Sequence, residues 1–433
     1  MPNVSDKVVV VGAGYVGLTT AACLASLGHT VDCVDIDEAK VAALTTGLVP
    51  IVEQGLPELV QQGVLSGDLR FRSDLAVTIA DAGYVILCLP TPLGADGAAD
   101  LSAVWAVVRL LGSLLPSGCA VVAKSTVPVG TTRRIAALIG RPDIAVVSNP
   151  EFLSEGTAVF DFFHPSRIVI GADDSRAAER VLGLYDGISS DVVVTDPPTA
   201  ELTKYAANCF LALKLSYANA MAELAEVLDA DGVVVLDAVG RDARIGVGYF
   251  NPGPGWGGSC LPKDTAALRH MARSVAMPFS LLDAAIETNA RQSRLVVDKI
   301  REAAGGVLTG SAIGVLGLTF KAGTDDLRDS PALAVVDGLV AEGAVVRAYD
   351  PTVATPAPGW TNALTIVKSA YDACEDAAVL VVLTEWPEFR KLEWSRVAAG
   401  VTRRAVVDSR NLLDPDILTE AGLRWIGVGR SCE

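Results

Sequence analysis

Short runs of β-branched residues recur along the first part of the chain, at Val8–Val11, Val31–Val34, Val85–Leu89, Ala120–Ala123, Ile144–Val147, Ile168–Ile170 and Val192–Val194. Their brevity and unbroken apolar character predict parallel strands covered on both faces. Helical stretches between several of them predict an open, doubly wound sheet. The pattern changes at Asp196-Pro197-Pro198. From about Thr199 to Leu228 β-branched residues are few and an apolar stripe recurs, which predicts one long helix. Small helices, a glycine-rich loop over 246–258 and a second long helix at about Ser280–Ala304 follow, ended by Gly305-Gly306. Strand candidates return at Ile313–Thr319, Val345–Tyr349, Val379–Leu383, Ala405–Val407 and Trp425–Val428. The expected fold class is α/β, with two doubly wound domains (1–198 and 305–433) joined by a central helical domain (199–304).

A chain of 433 residues agrees with two or three domains. The net charge of −16 would repel nucleic acid and anionic membranes on average, so neither is expected as a partner. An anionic small ligand would need positive charge supplied locally. The most apolar stretch, Tyr205 to Ala222, is broken by Lys214, and no membrane span is expected. The start of the chain lacks the basic region and cleavage site of a signal peptide, so a cytoplasmic location is expected. The eight cysteines (23, 33, 88, 119, 209, 260, 374 and 432) show no CxxC spacing. Most sit in apolar runs and read as buried, reduced thiols. Without clustered His or Cys, no metal site is expected.

The first run leads into Gly12-Ala-Gly14-Tyr15-Val16-Gly17 and then a helical pattern. Gly12 allows a tight turn, Gly14 lets backbone N–H groups approach a pyrophosphate, and Gly17 lets the helix pack closely on the strand. Asp35 ends the next strand and suits a ribose 2′-hydroxyl, which favours NAD over NADP. The nearest following cation is Lys40. A Rossmann-like first domain that binds NAD is therefore expected.

Four further segments carry candidate chemistry. Asn149-Pro-Glu151-Phe152-Leu153-Ser-Glu155-Gly follows a strand's carboxyl end, where open sheets bind ligands; by spacing alone its two carboxylates also fit a solvated surface pair. Lys204 and Asn208 stand four residues apart on one face of the long helix; the lysine suits an oxyanion or, if desolvation lowers its pKa, a base, although an exposed helix lysine would look the same. In Gly253-Pro-Gly-Trp-Gly257-Gly-Ser-Cys260-Leu-Pro-Lys263-Asp264, glycines lead into a cysteine where a helix is expected to begin. A helix N-terminus depresses a thiol pKa, Lys263 adds positive charge, and Asp264 could orient or deprotonate a water. The plain alternative is a structural cysteine in a turn. Lys321 and Arg328 follow a C-terminal strand and suit phosphate or carboxylate, or a solvated loop. His29, in a turn, His164, before Pro165, and His270, read as following a helix, fit no motif, so no histidine base is expected.

Taken together these segments resemble the UDP-glucose/GDP-mannose dehydrogenase family over nearly the whole chain. The match includes residues 12–17, Leu89-Pro90-Thr91-Pro92, Lys124-Ser125-Thr126-Val-Pro-Val-Gly130, Asn149 to Gly156, Glu201 to Asn208, Gly257 to Asp264 and Phe320-Lys321. The resemblance implies an N-terminal NAD domain, a helical middle forming a dimer core, and a C-terminal domain holding a nucleotide sugar. It implies Cys260 as nucleophile, Lys204 and Asn208 as oxyanion partners, and Asp264, Glu155 and Thr126 as holders of a water. NAD contacts would come from Gly12, Gly14, Tyr15, Val16, Gly17, Asp35, Lys40, Pro90, Thr91, Ser125, Thr126, Glu155, Lys263 and Arg328. Substrate contacts would come from Glu151, Phe152, Leu153, Glu155, Lys204, Asn208, Arg244, Tyr249, Asn251, Gly253, Gly257, Phe320, Lys321 and Arg410, with Arg244 reaching a neighbouring subunit.

Three positions depart from the family pattern: Trp256 for Phe, Leu89 for Val, and Ser409 before Arg410 where Gly is usual. Serine before Cys260, where the N-acetyl-hexosamine branch has His, points to UDP-glucose ahead of GDP-mannose or another UDP-hexose. The implied reaction is a four-electron oxidation of a sugar primary alcohol to a carboxylate through a thiohemiacetal and a thioester, in a homodimer or larger homo-oligomer.

Overall fold

The computed structural model describes residues 7–356, 360 and 363–430; Cys432 lies outside them. The chain forms two compact units, Met1–Ala207 with Ala266–Val275, and Asn208–Thr265 with Ala276–Glu433.

The first unit holds strands β1 (Val8–Val11), β2 (Val31–Val34), β3 (Leu69–Arg72), β4 (Tyr84–Leu87), β5 (Ala120–Ala123), β6 (Ala145–Ser148), β7 (Arg167–Gly171) and β8 (Asp191–Thr195). They form one sheet in the order β3-β2-β1-β4-β5-β6-β7-β8. The first six are parallel; β7 meets β6 antiparallel and pairs parallel with β8. The unbroken valine run of β1 follows from burial on both faces. Side chains alternate along a strand, so Val8 and Val10 join one core with Leu18 and Ala21 of the helix Tyr15–Ser26. Val9 and Val11 join the opposite core with Val104, Val108 and Ile135.

Two features of this sheet differ from expectation. β3 was not foreseen: Leu69 and Phe71 are buried while Arg70 and Arg72 are exposed, an alternation that breaks the apolar run. β8 was expected to be covered on both faces, yet Val192, Val193 and Val194 are 43%, 47% and 56% exposed because β8 is the last strand of the sheet.

The second unit holds β9 (Ala312–Leu316), β10 (Val345–Tyr349), β11 (Leu364–Ile366), β12 (Val379–Val382), β13 (Ala405–Asp408) and β14 (Arg424–Gly427). All are parallel, in the order β11-β10-β9-β12-β13-β14, the doubly wound arrangement that places ligands beyond the carboxyl ends of the strands. The intervening segment is helical, at Pro197–Val227, Gly232–Gly240, Leu261–Ser274 and Ser280–Ala303. His270 lies inside Leu261–Ser274 rather than after a helix. No helix among the described residues is long and apolar enough to cross a membrane.

Candidate active site

The turn after β1 is shaped for a dinucleotide. Gly12 has φ +102°, and a Cβ there would lie 2.4 Å from the Cys88 carbonyl oxygen. A Cβ on Gly17 would lie 1.8 Å from the Gly12 oxygen. A Cβ on Gly14 would meet nothing within 4 Å, so open space faces the N-terminus of the helix Tyr15–Ser26, where a pyrophosphate is favoured. Asp35 accepts the Ala13 N–H (2.8 Å), the Asp37 N–H (3.0 Å) and the Lys40 ammonium (3.0 Å). Burial alone would raise its pKa; those donors outweigh it and hold the carboxyl below the usual range. An ionised acid at this place accepts ribose hydroxyls and repels a 2′-phosphate, so these residues fit NAD.

The loops after β4 and β5 lie beside this turn at the switch in strand order. Pro90 is exposed and Thr91 is buried, its hydroxyl donating to the Thr126 carbonyl at 3.0 Å. The Ser125 hydroxyl donates to the Leu89 carbonyl at 2.8 Å. The two loops are thus tied to each other, and Thr126 is buried.

After β6 comes the carboxylate loop. Glu151 is buried and pairs with the buried Lys204 at 3.0 Å. Burial pushes the Glu151 pKa up, but the Lys204 ammonium, the Leu153 N–H and the Lys124 charge outweigh it and keep the carboxyl below its ordinary value. Neither residue is the solvated surface group that spacing alone also allowed. Phe152 lies under the Arg167 guanidinium at 3.6 Å, with the Lys204 ammonium 5.3 Å from its ring. Leu153 and Glu155 are half-buried.

In the second unit Asp264 is fully buried and accepts from the Asn208 amide (2.6 Å) and the Lys263 ammonium (2.5 Å). Lys263 therefore spends its charge on Asp264. Cys260 stands immediately before the helix Leu261–Ser274, and its carbonyl accepts the Asp264 N–H at 3.0 Å in the first turn. It is half-buried, whereas the other described cysteines are buried. Burial pushes the thiols of Cys23, Cys88, Cys119, Cys209 and Cys374 up to about 12, and Cys33 higher still, which leaves them protonated and inert.

Glycines ahead of Cys260 admit close packing. A Cβ on Gly257 would lie 1.9 Å from the Asp329 oxygen, and one on Gly258 would lie 2.8 Å from the Phe320 ring. Gly253 packs near Arg410, and its N–H donates to Asn219 at 2.8 Å. Arg410 donates to the carbonyls of Leu383 and Phe320, both at 2.8 Å, and pairs with Glu385 at 3.0 Å. Lys321 is half-buried. Arg328 is exposed and paired with Asp326 (2.7 Å). Tyr249 (φ 57°) and Asn251 are exposed, and Arg244 extends outward on Asp242, 88% exposed.

Three features escaped the sequence reading. Ile36, next to Asp35, is 93% exposed, an apolar surface beside the ribose position. Lys124 is buried and donates to Asn149 (3.1 Å) and the Tyr185 hydroxyl (2.9 Å), anchoring the foot of the carboxylate loop. Glu53 is buried and accepts the Gly156 and Ala158 N–H groups. Ile36 left a signal, as the apolar residue that follows the ribose acid, and Lys124 stands in a matched segment without an assigned role; Glu53 left none.

Comparison with known proteins agrees with this geometry. Models of the UDP-glucose/GDP-mannose dehydrogenase family match its NAD binding domain at 6–189, its central domain at 198–291 and its UDP binding domain at 314–415. The UDP-glucose 6-dehydrogenase of Rhizobium meliloti is 43% identical, covering 98% of this chain and 99% of that relative. The enzyme of the same name from Bacillus subtilis is 40% identical over 98% and 93%. A UDP-glucose dehydrogenase structure from Pyrobaculum islandicum superposes with a TM-score of 0.90 at 36% identity, covering 100% of this chain and 99% of that one. With an NAD-shaped turn, a half-buried cysteine ahead of a helix and family matches along most of its length, the chain belongs to the UDP-glucose/GDP-mannose dehydrogenase family.

Proposed function

We propose that the protein oxidises the C6 alcohol of UDP-glucose to the carboxylate of UDP-glucuronate, with NAD as acceptor and Cys260 as covalent nucleophile. The carrying observation is the contrast among thiols: Cys260 is half-buried ahead of a helix, while the other described cysteines are buried. Bound NAD supplies a hydride acceptor, once at the alcohol stage and once at the thiohemiacetal stage. The turn Gly12–Gly17, Asp35, Lys40 and the tied loops at Pro90-Thr91 and Ser125-Thr126 would hold it.

The Cys260 thiolate adds to the aldehyde carbon, and the carbonyl oxygen becomes an oxyanion. Lys204 and Asn208 stabilise that charge. Held as this adduct, the aldehyde is not released, and loss of the second hydride leaves a thioester on Cys260. Water then attacks the acyl carbon and the thiolate leaves. Asp264, Glu155 and Thr126 orient the water, and Glu151 holds Lys204. Phe152, Leu153, Tyr249, Asn251, Gly253, Gly257, Phe320, Lys321 and Arg410 form the nucleotide-sugar subsite; Lys263 and Arg328, each paired with a neighbouring carboxylate, contribute hydrogen-bond donors to the cofactor.

The same reading divides the chain into an NAD domain (1–198), a central helical domain (199–304) and a UDP-sugar domain (305–433). It makes the protein a homodimer or larger homo-oligomer assembled through the central helix, where Phe210, Tyr217 and Leu224, seven residues apart, are 61%, 53% and 47% exposed. Arg244, also exposed, would reach the partner's site. Free buried thiols support a reducing cytoplasm.

A panel of nucleotide sugars with NAD, read at the NADH absorbance, tests the substrate and the stoichiometry. UDP-glucose should give UDP-glucuronate and two NADH per sugar. One NADH with free aldehyde, or faster turnover of GDP-mannose, would overturn the reading.

A further inference from the structure

The amide that follows Glu155 is pinned by two groups from elsewhere in the first unit. The Gly156 N–H donates both to the Tyr15 hydroxyl and to the Glu53 Oε2, each at 2.6 Å. The other Glu53 oxygen accepts the Ala158 N–H at 2.8 Å, the first residue of the helix Ala158–Phe163. That helix has no side-chain cap from Thr157, so Glu53 takes N–H groups its own end leaves over. Glu53 is 4% exposed, and it reaches these donors from a segment 103 residues earlier in the chain. Tyr15 is the first residue of the helix that follows the glycine turn, the end suited to a pyrophosphate. Gly156 has φ +84°, a left-handed conformation, so its amide direction determines how the chain leaves Glu155.

We infer that Tyr15 and Glu53 are positioning residues, which set the carboxylate loop Glu151–Glu155 in register with the cofactor turn. The inference rests on the proposed role of that loop in thioester hydrolysis. Two independent donor–acceptor geometries converge on one amide. One comes from the turn that takes the cofactor; the other comes from a buried acid with no place in the chemistry. A shift of the Gly156 amide would move Glu155 directly. The opposite end of the loop is held separately by Lys124, Asn149 and Tyr185.

The test uses Tyr15→Phe and Glu53→Gln in the full-length enzyme, with UDP-glucose and NAD. Expected is a fall in kcat of about 10-fold to 100-fold, as for a misplaced reacting group, with KM values changed by no more than about twofold. Acid-quenched samples should show a sugar-nucleotide acyl adduct on Cys260 by intact-mass spectrometry, because hydrolysis is slowed after oxidation. A purely structural role would lower the melting temperature and leave no adduct. Native-like kcat, or a loss of rate without adduct, overturns the inference. If Glu53→Gln does not fold, Tyr15→Phe, which lacks one hydroxyl, decides. Glu151→Gln and Glu155→Gln serve as references. If neither accumulates adduct, the hydrolytic role of the loop is wrong. If either does while Tyr15→Phe and Glu53→Gln behave as native, only the positioning inference fails.

Discussion

The two parallel sheets open in the same way and put that opening to different uses. In the first unit β1 runs into Gly12, and Asp35 after β2 accepts the Ala13 N–H at 2.8 Å. In the second, β9 runs into Gly317, and Asp350 after β10 accepts the Leu318 N–H at 2.7 Å. Both glycines are left-handed, at φ +102° and +91°, and the order β2-β1-β4 is repeated as β10-β9-β12. The surroundings then diverge. Around Asp35, Gly14 faces open space and Ile36 is exposed. Asp350 is buried, and its Oδ2 also receives the Thr319 N–H (3.1 Å), the Thr319 hydroxyl (3.2 Å) and the Trp386 indole N–H (3.2 Å). A Cβ on Gly317 would lie 2.3 Å from Thr384. One turn is left open for a ligand, and the other is closed by its own side chains. Strand order alone does not decide where a dinucleotide binds; the side chains around the turn do.

The largest effect that would break this comparison is on stability. Asp350→Ala strips buried N–H and O–H donors of their acceptor, and at about 1–3 kcal/mol per stranded group the denaturant midpoint should fall clearly. NAD affinity of the folded variant should be unchanged. A native midpoint would mean that the acid is not the lock of the second turn.

Asp35→Ser should do the reverse. The midpoint should fall only slightly at neutral pH, while KM for NAD rises about tenfold, as expected for one charge-assisted hydrogen bond. Turnover with NADP should increase, because Lys40 loses its carboxylate partner and can meet a 2′-phosphate. NADP rates no better than native would show that Asp35 is not the discriminator.

The smallest effect is in the pH dependence of stability, where two strand-end acids should differ in sign. Asp35 is held below the usual carboxylate range by its N–H donors and Lys40 against the opposing effect of burial. Its contribution is present above the unfolded value of about 3.9 and is lost as pH falls through the lowered pKa. Asp408, after β13's Val407, is raised by burial despite donors from Leu413, Leu412, Trp425 and Arg410. Its contribution is present below that unfolded value and is lost as pH rises through the raised pKa. The stability gap between native and Asp35→Asn should therefore narrow on acidification, and that for Asp408→Asn should narrow towards neutral pH. Parallel slopes would contradict the assignment.

Much of this architecture was readable because burial on both faces leaves an unbroken apolar mark, as in Val8–Val11 and Val379–Val382. β3 escaped because only Leu69 and Phe71 face a core. β11 escaped because it has three residues. Val192–Val194 misled, since valine content reports strand propensity and not whether the strand ends its sheet. The glycine turn and the segment before Cys260 were legible because close backbone approach excludes other residues. The Glu151–Lys204 pair and the reach of Glu53 to Gly156 were not, because hydrogen bonds between distant segments leave no local pattern.

The proposed chemistry turns on Cys260 as the nucleophile of a two-hydride oxidation. The decisive variant is Cys260→Ala, titrated with UDP-glucose and NAD. Both ligands should bind and no UDP-glucuronate should form; normal turnover to UDP-glucuronate with two NADH per sugar would show that Cys260 is not the nucleophile.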